Sequence, residues 1–297
     1  MTASSPSDDV LLLLSLVSFL LLVPALPLFA HELRELWRTR RLDRRRLAGL
    51  ATSAFCLVPA TMVEAAFGDD LVRALRGLAA WAPAPLPVDL GTALLCVLVV
   101  DFVYYWEHRL GHRVHLAWAA YHSVHHSADH YDQSVGLRVS FVDFFTSAVV
   151  YAPLVLLGFS PLLVLTSLGV VLAWQQWLHT ESVGKLPWLD PWLNTPANHR
   201  VHHGRNAAYL DRNYGGVLMV WDRLFGTYAA ETEPVDFGLV EPLASRHPVE
   251  VHVHGLRKLG AALRQVRGWR PRLALLFGPP ERARELLTGP GSVSAAC

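Results

Sequence analysis

Charge is what this sequence has least of. Asp, Glu, Lys and Arg make up 17% of its 297 residues, against about 25% in soluble domains. Apolar residues fill the gap at 52%, with ten tryptophans. So few ionised side chains among so much apolar surface point to a membrane protein. Cysteine is also scarce. Cys56, Cys96 and Cys297 lie far apart, the first two in apolar runs, which argues against a disulfide framework and against a thiolate-held metal or cluster. No Gly-x-Gly-x-x-Gly follows a strand, so no dinucleotide fold is built in, and no haem-binding domain is appended. A net charge of +1, without basic motifs interleaved with aromatics, gives nucleic acid no electrostatic footing. Internal repeats and low-complexity segments are missing too.

Histidine is the opposite case. Eleven of the 15 lie between His108 and His203. Most fall in three clusters: His108-x-x-x-His112, His122-x-x-His125-His126 and His199-x-x-His202-His203, with His179 alone between the last two. At about 100° per residue, positions i and i+4 share a helix face. One helix can therefore aim His108 and His112 at one ion. The same geometry predicts that the three rings of each later cluster lie on one side. Imidazole suits iron, zinc and copper alike. Nine rings are too many for one ion, and four or five each would satisfy two. His115 and His130 continue the same faces and are read as surface or supporting residues. His31, His247, His252 and His254 are read as ordinary histidines.

The apolar runs set the topology. Residues 10–30 are almost wholly apolar, and Asp8 and Asp9 precede them where a secretory signal would carry basic residues. They read as a membrane span, bent or ended by Pro24 and Pro27. Seven arginines in residues 31–46 mark a cytoplasmic loop. A second, weaker run covers 47–67, interrupted by Pro59 and Glu64. Residues 68–88 are mixed and read as a loop or short surface helix. A third run, 88–106, ends in Tyr104-Tyr105-Trp106. Residues 139–178 form a hairpin broken at Gly158-Phe159-Ser160-Pro161, with arms of about 18 residues, near the lower limit for a core of about 30 Å. Starting with the arginines inside, five crossings put all nine histidines on one face. The tail near 250–286 is amphipathic, suited to the inner leaflet or to an ordinary soluble helix.

The blocks around the clusters carry a resemblance. Asp101–His112 reads DFVYYWEHRLGH, residues 175–181 QQWLHTE, 194–206 NTPANHRVHHGRN and 211–228 DRNYGGVLMVWDRLFGTY. Over roughly residues 90–230 the chain resembles the fatty acid hydroxylase / sterol desaturase superfamily, including its ether-lipid-cleaving branch. The resemblance implies an all-α fold, a polytopic helical bundle of four or five spans under a cytosolic histidine-rich cap. The chain reads as three regions: N-terminal spans with the arginine-rich loop over 1–90, a histidine-box catalytic domain with the hairpin over 91–232 and a cytosolic tail over 233–297. The resemblance also implies a two-iron centre with His108, His112, His122, His125, His126, His199, His202 and His203 as ligands. His179 occupies the place of a further ligand, while Gln175 stands where some members have another.

The chemistry expected is attack on an unactivated C–H bond of a sterol, fatty acyl or ether lipid, using O2. Electrons come from a separate cytochrome, ferredoxin or pterin. Asp101, Glu107, Glu181, Asp211 and Asn213 are the expected partners of the rings' second nitrogens. The rival readings are a zinc-dependent membrane hydrolase and a metal transporter. A transporter would place its ligands within the spans.

Overall fold

A computed structural model describes residues 6–243 and 245–288. Among these the chain is all-helical: no strand forms, only two isolated bridges, Leu193 to Leu218 and Gly204 to Phe237. Cys297 lies outside the described residues.

Three helices are long and apolar enough to cross a membrane: Pro6–Arg38, Arg44–Ala79 and Leu90–Arg113. The first turns at Pro24, which separates Pro6–Leu22 from Ala25–Arg38. Local chemistry fixes the starts of the other two. Asp43 accepts a hydrogen bond from Arg46 N and Asp89 one from Thr92 N, each an N-cap that satisfies an orphan donor. The sequence expectations need correcting in two places. The arginine stretch is mostly helix, leaving only residues 39–43 as a turn. The second helix also runs through Pro59 and past the mixed segment, so the loop spans 80–89 only.

The hairpin forms as expected but its arms are short. Val142–Leu156 and Pro161–Gln176 are 15 and 16 residues, about 23 Å each and less than a hydrocarbon core. Five apolar segments are therefore present, two of them below full spanning length. Gly158 reverses the chain at φ 101°, and Leu86 N donates to its carbonyl, tying the hairpin tip to the 80–89 loop.

The bundle core joins Leu14, Leu75, Ala93, Cys96, Val100, Tyr151, Val155, Leu163 and Val171 from all these helices. Outside it, large apolar side chains face outward, including Leu26 at 74%, Val149 at 73% and Met62 at 66% exposed. An apolar belt of that extent is unstable in water and suits lipid. The chain is an integral membrane protein. At the end opposite the hairpin tip, residues 114–141 and 177–288 form the cap. Its helix Pro248–Gln265 buries Val251, Leu259 and Ala262, the last two in a cluster with Ala119. One side of the tail helix thus packs on the cap, while Val249, Val253 and Leu256 stay exposed. Gly255 makes the packed contact close, since a Cβ there would strike the Ala119 backbone.

Candidate metal centre

Each histidine cluster arrives on its own element. His108 and His112 end the long Leu90–Arg113 helix. His122 closes a five-residue π-helical turn, Trp118–His122, and His125 and His126 follow it. Such wide turns recur at functional sites because they re-aim side chains without ending the helix. His199, His202 and His203 sit on the eight-residue helix Pro196–His203. Thr195 caps that helix and Pro196, at its first position, has no N–H to leave unpaired. His179 follows the second hairpin arm by three residues.

The fold brings all nine rings together, in two adjoining groups. His108, His112, His122, His126 and His202 form one; His125, His179, His199 and His203 form the other. Within each group one nitrogen per ring lies within 4.8 Å of the rest. This corrects the expectation that each three-histidine cluster faces one way. The i, i+4 pairs, 108/112, 122/126 and 199/203, stay together. The i+3 rings, His125 and His202, cross to the opposite group. Viewed down a helix, i+4 lies about 40° to one side of i and i+3 about 60° to the other. One cluster can thus serve two neighbouring centres. His126 and His203 stack at 4.4 Å between ring centres where the groups meet.

The rings are oriented by backbone carbonyls, not by acidic side chains. Nδ1 of His108 meets Tyr214 O at 2.9 Å, that of His202 Arg212 O at 3.0 Å, that of His125 Arg138 O at 3.2 Å and that of His179 Gln176 O at 3.3 Å. A carbonyl only accepts, so each Nδ1 carries the proton and each Nε2 presents a bare lone pair. Asp101 instead accepts from Val217 N, Leu218 N and Trp221 Nε1. Glu107 accepts from Ser147. Asn213 ties Asn198 O to Ala229. Asp211 binds Arg113 and Tyr214, and stops 3.9 Å from His112 Nδ1. Glu181 is exposed and touches no ring. Asp101 and Asn213 therefore act one step further out, fixing the 211–222 loop whose carbonyls hold His108 and His202. Asp222, which sequence reasoning passed over, closes that loop. It is fully buried and accepts from Tyr214 N, Gly215 N and Thr227 Oγ1.

The remaining histidines lie outside both groups. His115 packs under the tail, where its backbone N–H meets Gly278 O. His130 sits against Gly49 and Asp129. His31 and His247 are exposed, and His252 and His254 bond their own helix turns. Gln175 joins neither group. It donates to Val171 O, one helical turn back.

The donor set fits a pair of metal ions. His126 and His202 bring Nε2 atoms to 3.0 Å, His179 and His199 to 3.0 Å, and His125 and His179 to 3.3 Å. Two nitrogens on one ion with bonds of about 2.1 Å come to about 3.0–3.4 Å of each other. His112 Nε2, His122 Nε2 and His203 Nε2 are buried without a partner, a costly arrangement unless something takes their lone pairs. Burial first, and neighbouring rings second, hold His122, His126, His199 and His203 well below the ordinary imidazole range. His125 falls to about 4 through burial. The rings are neutral at physiological pH, the state in which imidazole binds metal.

Residues 93–227 match the fatty acid hydroxylase family. Human alkylglycerol monooxygenase is 41% identical over 183 residues, 62% of this chain and 41% of its own length. The Danio rerio alkylglycerol monooxygenase is 45% identical over 151 residues, 51% of this chain and 33% of its own length. An ornithine lipid hydroxylase from Rhizobium tropici is 34% identical over 155 residues, 51% and 46%. The chain thus spans less than half the length of the curated relatives it matches. No solved structure matches it.

Proposed function

We propose, from the premise that residues 93–227 make this chain a member of the fatty acid hydroxylase / sterol desaturase superfamily, that it is an O2-dependent lipid hydroxylase or desaturase with two irons held by the nine histidines. The single observation that carries this reading is the division of those rings into a five-nitrogen and a four-nitrogen group in contact. His108, His112, His122, His126 and His202 hold one ion, and His125, His179, His199 and His203 the other. Bound there, the irons supply the oxygen activation that an unactivated C–H bond requires. In hydroxylation one oxygen atom enters the C–H bond and the other leaves as water. Two electrons and two protons from an external cytochrome, ferredoxin or pterin complete the balance.

The chain's own residues do the rest. The carbonyls of Tyr214, Arg212, Arg138 and Gln176 keep four rings in one tautomer. Trp118 covers His112 and His126 at 5.2 and 5.6 Å between ring centres, and Tyr104 stands edge-on to His108 at 5.3 Å. These aromatics keep water from the rings. A lipid reaches the site from the bilayer end of the same helices, which suits a sterol, fatty acyl or ether substrate. With the arginine turn on the cytosolic side, the centre faces the cytosol. The 91–232 region is the catalytic unit, the described residues of 1–90 anchor it and those of 233–297 pack over it.

The ligand groups cap one end of the bundle, away from the midplane where a transporter binds its cargo. A zinc hydrolase is separated by metal analysis of protein purified without added metal. Two irons per chain, with O2 consumed when reductant and lipid are supplied, is the expected result. Zinc alone with hydrolytic turnover would remove the proposal.

A further inference from the structure

Where the chain turns between its first two long segments, the surface holds a cavity of about 340 Å³ lined by Arg40, Arg41, Arg45, Arg46 and His130, with Asp43 and Asp129 at its wall. That volume suits a headgroup. Its charges do not cancel. Arg45 and Arg246 both pair with Asp129, and Arg46 lies 2.6 Å from Asp132. Asp43 is occupied as a helix cap. Arg40 and Arg41 make no ion pair among the described residues. The lining itself carries four arginines against two carboxylates, and the Glu181 carboxylate beyond it is attracted by Arg41 and Arg46.

His130 is the second, independent observation. Its side chain is 6% exposed, with Nδ1 3.5 Å from Asp129 Oδ1. Its Nε2 is buried with no partner, although the ring lines the cavity. Gly49 makes room for the ring, since a Cβ there would collide with it. A buried imidazole nitrogen without a partner, on a ring that lines a cationic cavity, calls for a group to meet it. The location narrows the ligand further. Arg38 closes one candidate span and Arg44 opens the next. Trp37 and Leu47, on the same two helix ends, are 74% and 50% exposed, so apolar surface adjoins the charge.

We infer that this cavity binds the phosphate of a membrane lipid, a phosphomonoester headgroup held by Arg40, Arg41 and His130 with its acyl chains along Trp37 and Leu47. A lining richer in arginine than in carboxylate favours a phosphate dianion over a carboxylate. The planar guanidinium forks suit its oxygens, and a dianion beside His130 favours the protonated ring, whose Nε2–H then donates to it. None of these contacts involves the nine metal-site rings, so binding here is measurable whatever metal they hold.

The test is native mass spectrometry of the detergent-solubilised full chain with dioctanoyl phosphatidic acid, dioctanoyl phosphatidylcholine and inorganic phosphate. Phosphatidic acid is expected to bind about tenfold tighter than phosphatidylcholine, and inorganic phosphate to compete weakly. Arg41→Gln and His130→Gln should each remove most of that preference. Arg44→Gln deletes the same charge one turn away without lining the cavity, and should keep it. Arg41 is exposed, so its variant tests the site even if His130→Gln unfolds. Equal loss in Arg44→Gln and Arg41→Gln would reduce the cavity to general surface charge and overturn the inference. So would inorganic phosphate binding as tightly as the lipid, or no preference between the lipids.

Discussion

The five-ring and four-ring groups share two short cap elements and differ in the third. The first hangs on the 24-residue Leu90–Arg113 helix, which contributes His108 and His112 and is rooted in the bundle core. The second takes His179 from a loop, His199 and His203 from an eight-residue helix and His125 from the turn after the π-helical segment. Two of the five rings inherit their geometry from membrane packing, although His108 also donates to Tyr214 O. The four-ring group stands wholly on cap hydrogen bonds, such as His125 Nδ1–H to Arg138 O and the bidentate Arg200–Glu231 pair on the 196–203 helix. Position on a long packed element gives rigidity. Position on short elements makes each tether count.

The largest expected effect comes from removing one ring on each side of the shared boundary. His202→Ala strips the five-ring group and His203→Ala the four-ring group, although the two are neighbours in sequence. Each should lower bound metal from two ions toward one, with activity falling by more than about 100-fold, beyond what loss of an outer partner causes. Metal analysis of each variant checks the division. If both substitutions empty both groups alike, the two centres are one cooperative unit and the comparison fails.

Acid should come next, and should spare neither group. His126, His199, His202 and His203 are depressed chiefly by burial. Their unfolded counterparts titrate near 6.5, so below that pH the unfolded chain binds more protons. Stability is therefore full above about pH 6.5. It declines as pH falls, at about 1.4 kcal/mol per pH unit for each such ring. His125, at about 4, stops adding to that decline first. Protons also compete for the ligand nitrogens. Thermal unfolding with metal analysis between pH 7.5 and 4.5 should show both losses together. Metal retained unchanged at pH 5 would contradict the placement of these rings as ligands.

Asp222→Asn separates the groups. Asp222 braces the loop whose Tyr214 and Arg212 carbonyls hold His108 and His202, both in the five-ring group. Replacing its carboxylate removes charge-assisted acceptance of backbone N–H groups, at about 1.5–3 kcal/mol. Metal affinity should drop about tenfold in the five-ring group and little in the other. Equal loss from both would mean that the loop supports the whole cap.

Much of this was legible in the chain itself. Spacing identified eight of the nine rings, because i, i+4 pairing is a local property of one helix, and the resemblance supplied His179. The hairpin showed itself at Gly158, again locally. What stayed hidden depends on how elements rotate against one another. The crossing of His125 and His202 between groups is a tertiary fact. Carbonyl partners leave no side-chain signature, so acidic residues such as Asp101 and Glu107 drew the attention instead. The arginine stretch looked like a loop because its charge masked Leu33, Leu36 and Trp37, a helical pattern. The π-turn at Trp118–His122 has no sequence signal that we recognise.

The smallest effects should come from two glycines placed alike in the two groups, each directly after or before a ligand. Gly204 follows His203. A Cβ there would lie 2.9 Å from Tyr209 Cδ2, 3.0 Å from Val235 Cγ1 and 3.1 Å from Val201 O, neighbours with little freedom to move. Gly111 precedes His112. A Cβ there would lie 3.1 Å from His122 Cγ and 3.4 Å from Tyr121 Oη, a tight contact that a small ring shift relieves. Gly204→Ala should therefore cost about 1–3 kcal/mol by overpacking, with partial metal loss from the four-ring group. Gly111→Ala should cost less than about 1 kcal/mol and displace only His122, in the five-ring group. Thermal unfolding gives the order of the two. The reverse order would mean that the long-helix group is the less adaptable of the pair, because a ring on a rigid scaffold has nowhere to shift.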